Sequence, residues 1–205
     1  MNRPNIYKRP DKPLTIPVRR RRREDEAIVE AQAPKIITVD AATECHVTPI
    51  DVAERMVDYL GPVGDYMTLE PSAGTGQLIR ALLASGHSPC ELCAIERHTG
   101  LFNTLHKIDG ISGADLVNHC FLEWTDAAKW SATFPRIIMN PPFRKVRQHM
   151  DAALSMLCRG AHDRATLVAL VPVTYQHPDA EELETLPSDT FAGAKVFTKV
   201  VRIEK

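Results

Sequence analysis

A three-layer α/β domain on a mainly parallel sheet is the fold class this sequence predicts, and two observations carry the prediction. From about residue 40 onward, short apolar runs alternate with stretches whose apolar residues recur at helical spacing, the pattern of strand–helix–strand units. Near the C-terminus, residues 166–173 form a nearly continuous apolar run, as expected of a central strand covered on both faces. The 205 residues suffice for one domain and an appended arm, and an apolar content of 44% suffices to fill a core. No internal repeat is visible.

The elements follow in order. Thr48-Pro49, then Val52, Met56, Val57 and Leu60, predicts a capped amphipathic helix that ends at Gly61. Tyr66-Met67-Thr68-Leu69 predicts the first strand, and a glycine-bearing turn over residues 70–76 follows it. Leu78, Ile79, Leu82 and Leu83 line one helical face, stopped near Gly86. Residues 92–95 predict a second strand, 101–107 a short helix, 119–122 a third strand and 136–139 a fourth. Val146, Met150, Ala153, Leu154 and Leu157 then recur at helical spacing up to Gly160. In residues 191–205, Val196-Phe197 and Val200-Val201-Arg202-Ile203 predict closing strand material.

A formal net charge of −1 hides an asymmetry. Residues 1–23 carry nine cationic side chains (Arg3, Lys8, Arg9, Lys12 and Arg19 to Arg23) against Asp11 alone, a net of +8 that leaves −9 on the remainder. With Pro4, Pro10, Pro13 and Pro17 in it, residues 1–40 read as a basic arm with little to bury. It is either a phosphate-contacting tail, binding by counterion release, or a solvated tail with no partner. Residues 41–205 then hold the fold. The five scattered cysteines (Cys45, Cys90, Cys93, Cys120, Cys158) fit reduced thiols in a cytoplasmic protein. Cys90-Glu-Leu-Cys93 has no second pair to complete a zinc site, so both read as small buried residues and no metal is expected. No apolar run reaches the ~18 residues of a membrane span, and the basic start is not followed by the apolar segment of a secretory signal.

The chemistry concentrates at the predicted strand tips. Asn140-Pro141-Pro142-Phe143 follows the fourth strand directly. The Asn140 amide both donates and accepts, the prolines stiffen the loop and leave their carbonyls as acceptors, and Phe143 offers a flat face for a planar ring. Acceptors beside a stacking platform suit a heteroaromatic amine; the alternative is an ordinary strand-ending turn. At the first strand tip stands Glu70-Pro71-Ser72-Ala73-Gly74-Thr75-Gly76. Gly74 and Gly76 permit tight turning and close approach of a ligand. A third glycine would be needed at position 79, which is Ile79, and no Lys-Ser or Lys-Thr follows, so neither the dinucleotide nor the P-loop pattern is met. The Glu70 carboxylate would repel a pyrophosphate and suits a cationic ligand. Glu96, at the tip of the second strand, is placed to accept hydrogen bonds from ribose hydroxyls. Together these features fit S-adenosylmethionine better than NAD or ATP.

At this point the residues resemble the amino-methylating nucleic-acid methyltransferases, especially the N6-adenine-specific DNA enzymes, over about residues 45–205. Thr48-Pro49 resembles the family's N-terminal cofactor element. Glu70 with Gly74 and Gly76 resembles its cofactor loop, and Glu96 its ribose acid. Residues 140–143 resemble its catalytic tetrapeptide, and Leu186-Pro187 with Phe191 the end of its catalytic domain. The resemblance implies a Rossmann-like S-adenosylmethionine-dependent methyltransferase fold with a mostly parallel seven-stranded sheet. It implies cofactor contacts by Thr48, Pro49, Glu70, Pro71, Ser72, Ala73, Gly74, Gly76, Glu96 and Phe121, and catalysis by Asn140, Pro141, Pro142 and Phe143. The family usually carries Asp just before the third-strand Phe; here Cys120 precedes Phe121, so a polar contact to the cofactor adenine must come from elsewhere. No separate target-recognition domain is evident.

The expected activity is therefore methylation of the exocyclic amine of adenine in DNA, with the base flipped out of its stack. Arg144, Lys145 and Arg147, with His149 close behind, are candidates for flanking phosphates, or else the solvated face of a helix. Tyr175 is a candidate wall of the target pocket, or a surface tyrosine. The competing readings are an RNA enzyme acting on adenine N6 or guanine N2, a protein-glutamine methyltransferase, and a cofactor-binding, non-catalytic subunit. A protein partner that supplies target recognition is the further expectation.

Overall fold

Strands and helices alternate from the first described element to β5. The computed structural model describes residues 46–128, 132–191 and 195–205; the basic arm of residues 1–40 and Cys45 lie outside them. In chain order the elements are α1 (Ile50–Leu60), β1 (Thr68–Glu70), α2 (Gln77–Ala84), β2 (Leu92–Ile95), α3 (Thr99–Leu105), β3 (Asp115–Val117), α4 (Phe121–Ala128), β4 (Arg136–Met139), α5 (Val146–Met156), β5 (Thr166–Pro172), β6 (Glu181–Leu186) and β7 (Thr198–Glu204).

The strands form one sheet in the order β3-β2-β1-β4-β5-β7-β6. The first five are parallel, and β7 runs antiparallel between β5 and β6. Side chains alternate across it. Ile138, Val168, Leu170 and Val200 face a core shared with α1 and α2. Ile137, Met139, Leu167, Ala169, Val171, Val201 and Ile203 face a second core shared with α4 and α5. Every second residue of β4 and β5 thus meets a different helical layer, which is why these strands are apolar on both faces beyond their first residues, Arg136 and Thr166.

Five features differ from the expectations. The third strand is Asp115–Val117 and not residues 119–122; Phe121-Leu122 opens α4, where Phe121 and Thr125 are buried one helical turn apart. The acidic stretch Glu181–Leu186 is a strand that the sequence did not signal. It is held by pairing with β7 and by cross-strand ion pairs from Glu181 to Arg202 (2.6 Å) and Glu182 to Lys199 (2.9 Å). Val196-Phe197 precedes β7 and is not part of it. Thr48 caps nothing: Pro49 stands at the N-cap of α1 without a side-chain cap. Of the two cysteines expected to be buried, Cys93 is and Cys90 is exposed.

The topology places the ligand crevice. The chain steps from β1 outward to β2 and β3, then crosses back to β4 on the other side of β1. The order reverses between β1 and β4, and a crevice opens there beyond the carboxyl ends of the strands. Glu70 ends β1, and Asn140 follows β4 directly.

Candidate active site

A cavity of about 380 Å³ fills that crevice, a size suited to one small organic ligand. Of the residues singled out by sequence, Thr48, Glu70, Pro71, Ser72, Ala73, Gly74, Glu96, Phe121, Asn140, Pro142, Arg144 and Lys145 line it. Pro49, Gly76, Pro141, Phe143, Arg147 and Tyr175 are not among its lining residues.

The loop after β1 is shaped by two carboxylates. Ser72 N–H donates to Glu70 Oε1 (3.1 Å), and Gly74 N–H donates to Glu96 Oε2 (2.7 Å). His98 N–H donates to Glu96 Oε1 (2.7 Å), and Ala73 N–H reaches the Ile95 carbonyl (2.9 Å). Glu96 therefore fastens the tip of β2 to the loop of β1, and the second lone pair on each of its oxygens remains for a ligand. Gly74 takes a positive φ of 55°, which lets its N–H turn toward Glu96. Gly76 answers to packing: its φ is 81°, and a Cβ there would meet Ile108 Cδ1 at 2.5 Å.

Glu70 is 2% exposed, and its Oε2 has no hydrogen-bond partner. Burial, with the Glu96 charge adding to it, pushes its carboxyl up to about 8. A buried acid with an unmatched oxygen on a cavity wall is a seat for a cationic group, which would restore its ordinary acidity.

Asn140 is oriented from the other side. Its Nδ2 donates to the His46 carbonyl (2.9 Å) and to Thr48 Oγ1 (3.0 Å). Both amide hydrogens are used, so the group Asn140 brings to the cavity is the acceptor Oδ1. Thr48, 5% exposed, thus serves the strand tip ninety-two residues further along the chain. Phe143 lies half-buried behind this point. The His46 ring stacks on it with centroids 5.0 Å apart and planes 19° apart, and Phe191 meets it edge-on at 6.1 Å. The flat face expected for a planar ring already carries one.

Phe121 and His149 also line the cavity, with ring centroids 5.7 Å apart. His149 is 7% exposed, and burial, with Lys145 and Arg97 nearby, depresses it to about 4, so it is neutral at physiological pH. Sequence reading placed His149 only among phosphate contacts and did not single out His46 or Arg97, which also line the cavity. The spacing of His149, three residues after Val146 and four before Ala153, was the signal that puts it on the buried face of α5. Arg147 is exposed on α5. Tyr175 is 6% exposed within the second core, which raises its pKa. Among the described residues no cluster of three or more metal-ligating side chains occurs, and no helix is long and apolar enough to cross a membrane.

The overall architecture is the Rossmann-like methyltransferase fold, and comparison with solved structures returns it consistently. A modification subunit assigned to a type I restriction enzyme of Vibrio vulnificus superposes with a TM-score of 0.63 at 13% identity, covering 91% of this chain and 49% of its own. This chain thus spans about half the length of that subunit. A protein of Pyrococcus horikoshii assigned as an RNA methyltransferase gives 0.59 at 16% identity, with 90% and 96% covered. One of Streptococcus mutans, assigned as S-adenosylmethionine-dependent, gives 0.55 at 13% identity, with 75% and 48% covered. No protein-family model matches the chain, and none of the curated proteins does.

Proposed function

We propose that this protein transfers a methyl group from S-adenosylmethionine to the exocyclic amine of adenine in DNA. The observation that carries the reading is the Asn140 amide, tied down through both hydrogens so that Oδ1 is left for a cavity that the unmatched acid Glu70 also lines. When bound, the cofactor supplies a methyl group on a cationic sulfur. The residues present fit it: Glu70 takes the cationic end, Glu96 the ribose hydroxyls, and Phe121 with His149 the purine ring.

The remaining work falls to the chain. An adenine amine is a poor nucleophile because its lone pair is delocalised into the ring. Asn140 Oδ1 would accept from one of its N–H bonds and draw the nitrogen toward tetrahedral geometry; the Pro141 carbonyl, the other acceptor expected from sequence, is not among the cavity's lining. The lone pair so freed would be aimed at the methyl group that the bound cofactor would supply, and the proton the amine loses on methylation would pass to solvent. Orientation and fixed dipoles supply the rate, and no covalent enzyme intermediate is needed. The stacked His46–Phe143 pair supports a planar substrate, since a heteroaromatic ring already fits against Phe143; an incoming base would take the place of the imidazole.

The type I modification subunit among the neighbours supports DNA as substrate and a partner chain as the source of target choice. The archaeal neighbour assigned to RNA keeps RNA as the second reading. The test is Asn140→Ala. It should lower methyl transfer by roughly 100- to 1,000-fold, the range for losing one fixed transition-state contact, while calorimetric affinity for S-adenosylhomocysteine stays at the wild-type value. Parallel loss of cofactor affinity would place Asn140 in cofactor binding instead.

A further inference from the structure

Beyond the cavity, one feature of the same face stands out. Phe197 is 65% exposed, the most exposed of the large apolar side chains among the described residues, and Val173 beside it is 38% exposed. Val173 N–H donates to the Phe197 carbonyl (3.1 Å). This bond extends the β5–β7 ladder one step past the Pro172–Thr198 pair. The two residues are therefore opposite each other at the end of the ladder, with side chains on the same face.

Register locates this pair relative to the chemistry. Met139 is level with Ala169 across β4 and β5, and Leu170 is level with Val200 across β5 and β7. Asn140 is thus at the height of Val200, three residues below Phe197. At about 3.3 Å per residue and 4.8 Å per strand, Phe197 stands about 10 Å beyond Asn140 along the strands and about 10 Å to the side. A nucleic acid whose target base reaches down to Asn140 must keep its remaining bases above the strand tips, at that height.

Two properties decide what Phe197 meets there. The exposed apolar surface is one aromatic backed by one valine, which covers about 150–250 Å²; a protein partner would need about 800 Å². Exposed cations stand on this rim, Lys195 two residues away and Lys145 and Arg147 after β4, with the exposed acid Asp189 next to Ser188, whose carbonyl accepts from Val196 N–H. A single aromatic ring among cations matches a base stacked within a phosphate-lined track.

We propose that Phe197, backed by Val173, stacks on a base adjacent to the target nucleotide and holds the strand while the target base enters the cavity. This rests on the reading of the protein as a nucleic-acid methyltransferase. The test is fluorescence anisotropy with labelled mixed-sequence DNA at several salt concentrations between about 50 and 200 mM, for wild type, Phe197→Ala, Phe197→Trp and Lys195→Ala. One stacked base is worth about 1–3 kcal/mol, so Phe197→Ala should weaken binding roughly 5- to 150-fold, equally at every salt concentration. Phe197→Trp should restore affinity. Lys195→Ala, which removes a phosphate contact, should instead flatten the salt slope by about 0.9. Melting temperature and S-adenosylhomocysteine affinity should not move, because Phe197 is on the surface and outside the cavity.

Wild-type affinity in Phe197→Ala would overturn the stacking role and leave the methyltransferase reading standing. Absence of DNA and RNA binding by the wild type would overturn both. Unchanged DNA binding with an altered sedimentation coefficient in Phe197→Ala would identify a protein contact and overturn the stacking role as well.

Discussion

Two titratable residues on the cavity wall carry opposite signs of pH dependence. Glu70, with its carboxyl pushed up to about 8, binds its proton more tightly folded than unfolded. Its contribution to stability is complete below pH 4.5 and is lost as pH rises through 8. Glu70→Gln should remove that slope, so that the cofactor-free variant melts at a higher temperature than wild type at pH 8–9. In wild type, a cationic ligand should expel the Glu70 proton near neutral pH. Calorimetry in two buffers of different ionisation enthalpy would record this release, and Glu70→Gln should abolish it. His149 runs the other way: depressed to about 4, it contributes stability above pH 6.5 that is lost as pH falls toward 4. His149→Phe should flatten the acid limb of a melting-temperature profile. Both residue types were visible in the sequence, but only Glu70 stood in a telling position at a strand end. The tether from Thr48 to Asn140 was not legible at all, because a threonine before a proline reads first as a helix cap. Only the crossing from β1 to β4 brings the two residues together.

At the level of elements, the interior strands were legible and the edges were not. Residues 92–95 and 136–139 are strands with the expected bounds because each is apolar on both faces and lies inside the sheet. β3 and β6 lie at the two edges. β3 is three residues long and incompletely buried, and β6 exposes Glu181 and Glu182 and draws its register from β7 and from ion pairs. Such strands are specified by their neighbours, which a local pattern does not record. Leu170→Ala, in the middle of β5 with no exposed surface, should cost about 2–5 kcal/mol in urea unfolding. Gly76→Ala should also destabilise, since a side chain at φ 81° is strained and its Cβ would press on Ile108 and Leu105. It should lower cofactor affinity only by displacing the start of α2, so that stability and affinity fall together.

For the molecule as a whole, the fold puts the unmatched acid Glu70 and the acceptor-bearing strand tip at Asn140 on either side of one switch point. Beside that tip a stacked imidazole already lies on Phe143. An unmatched buried acid and an oriented amide acceptor line one cavity, the arrangement that the proposed methyl transfer requires. The sequence predicted this class because its motifs lie at the ends of interior strands, where neighbouring residues in the chain remain neighbours in space. Choice of target was not legible, because no motif of the chain points to a target sequence. The most direct measurement is incubation with methyl-labelled S-adenosylmethionine and separate pools of unmethylated DNA, RNA and protein, followed by hydrolysis and identification of the labelled species. The account predicts label in DNA as N6-methyladenine, absent with Asn140→Ala. Label confined to RNA or protein, or bound cofactor with no transfer to any pool, would contradict it.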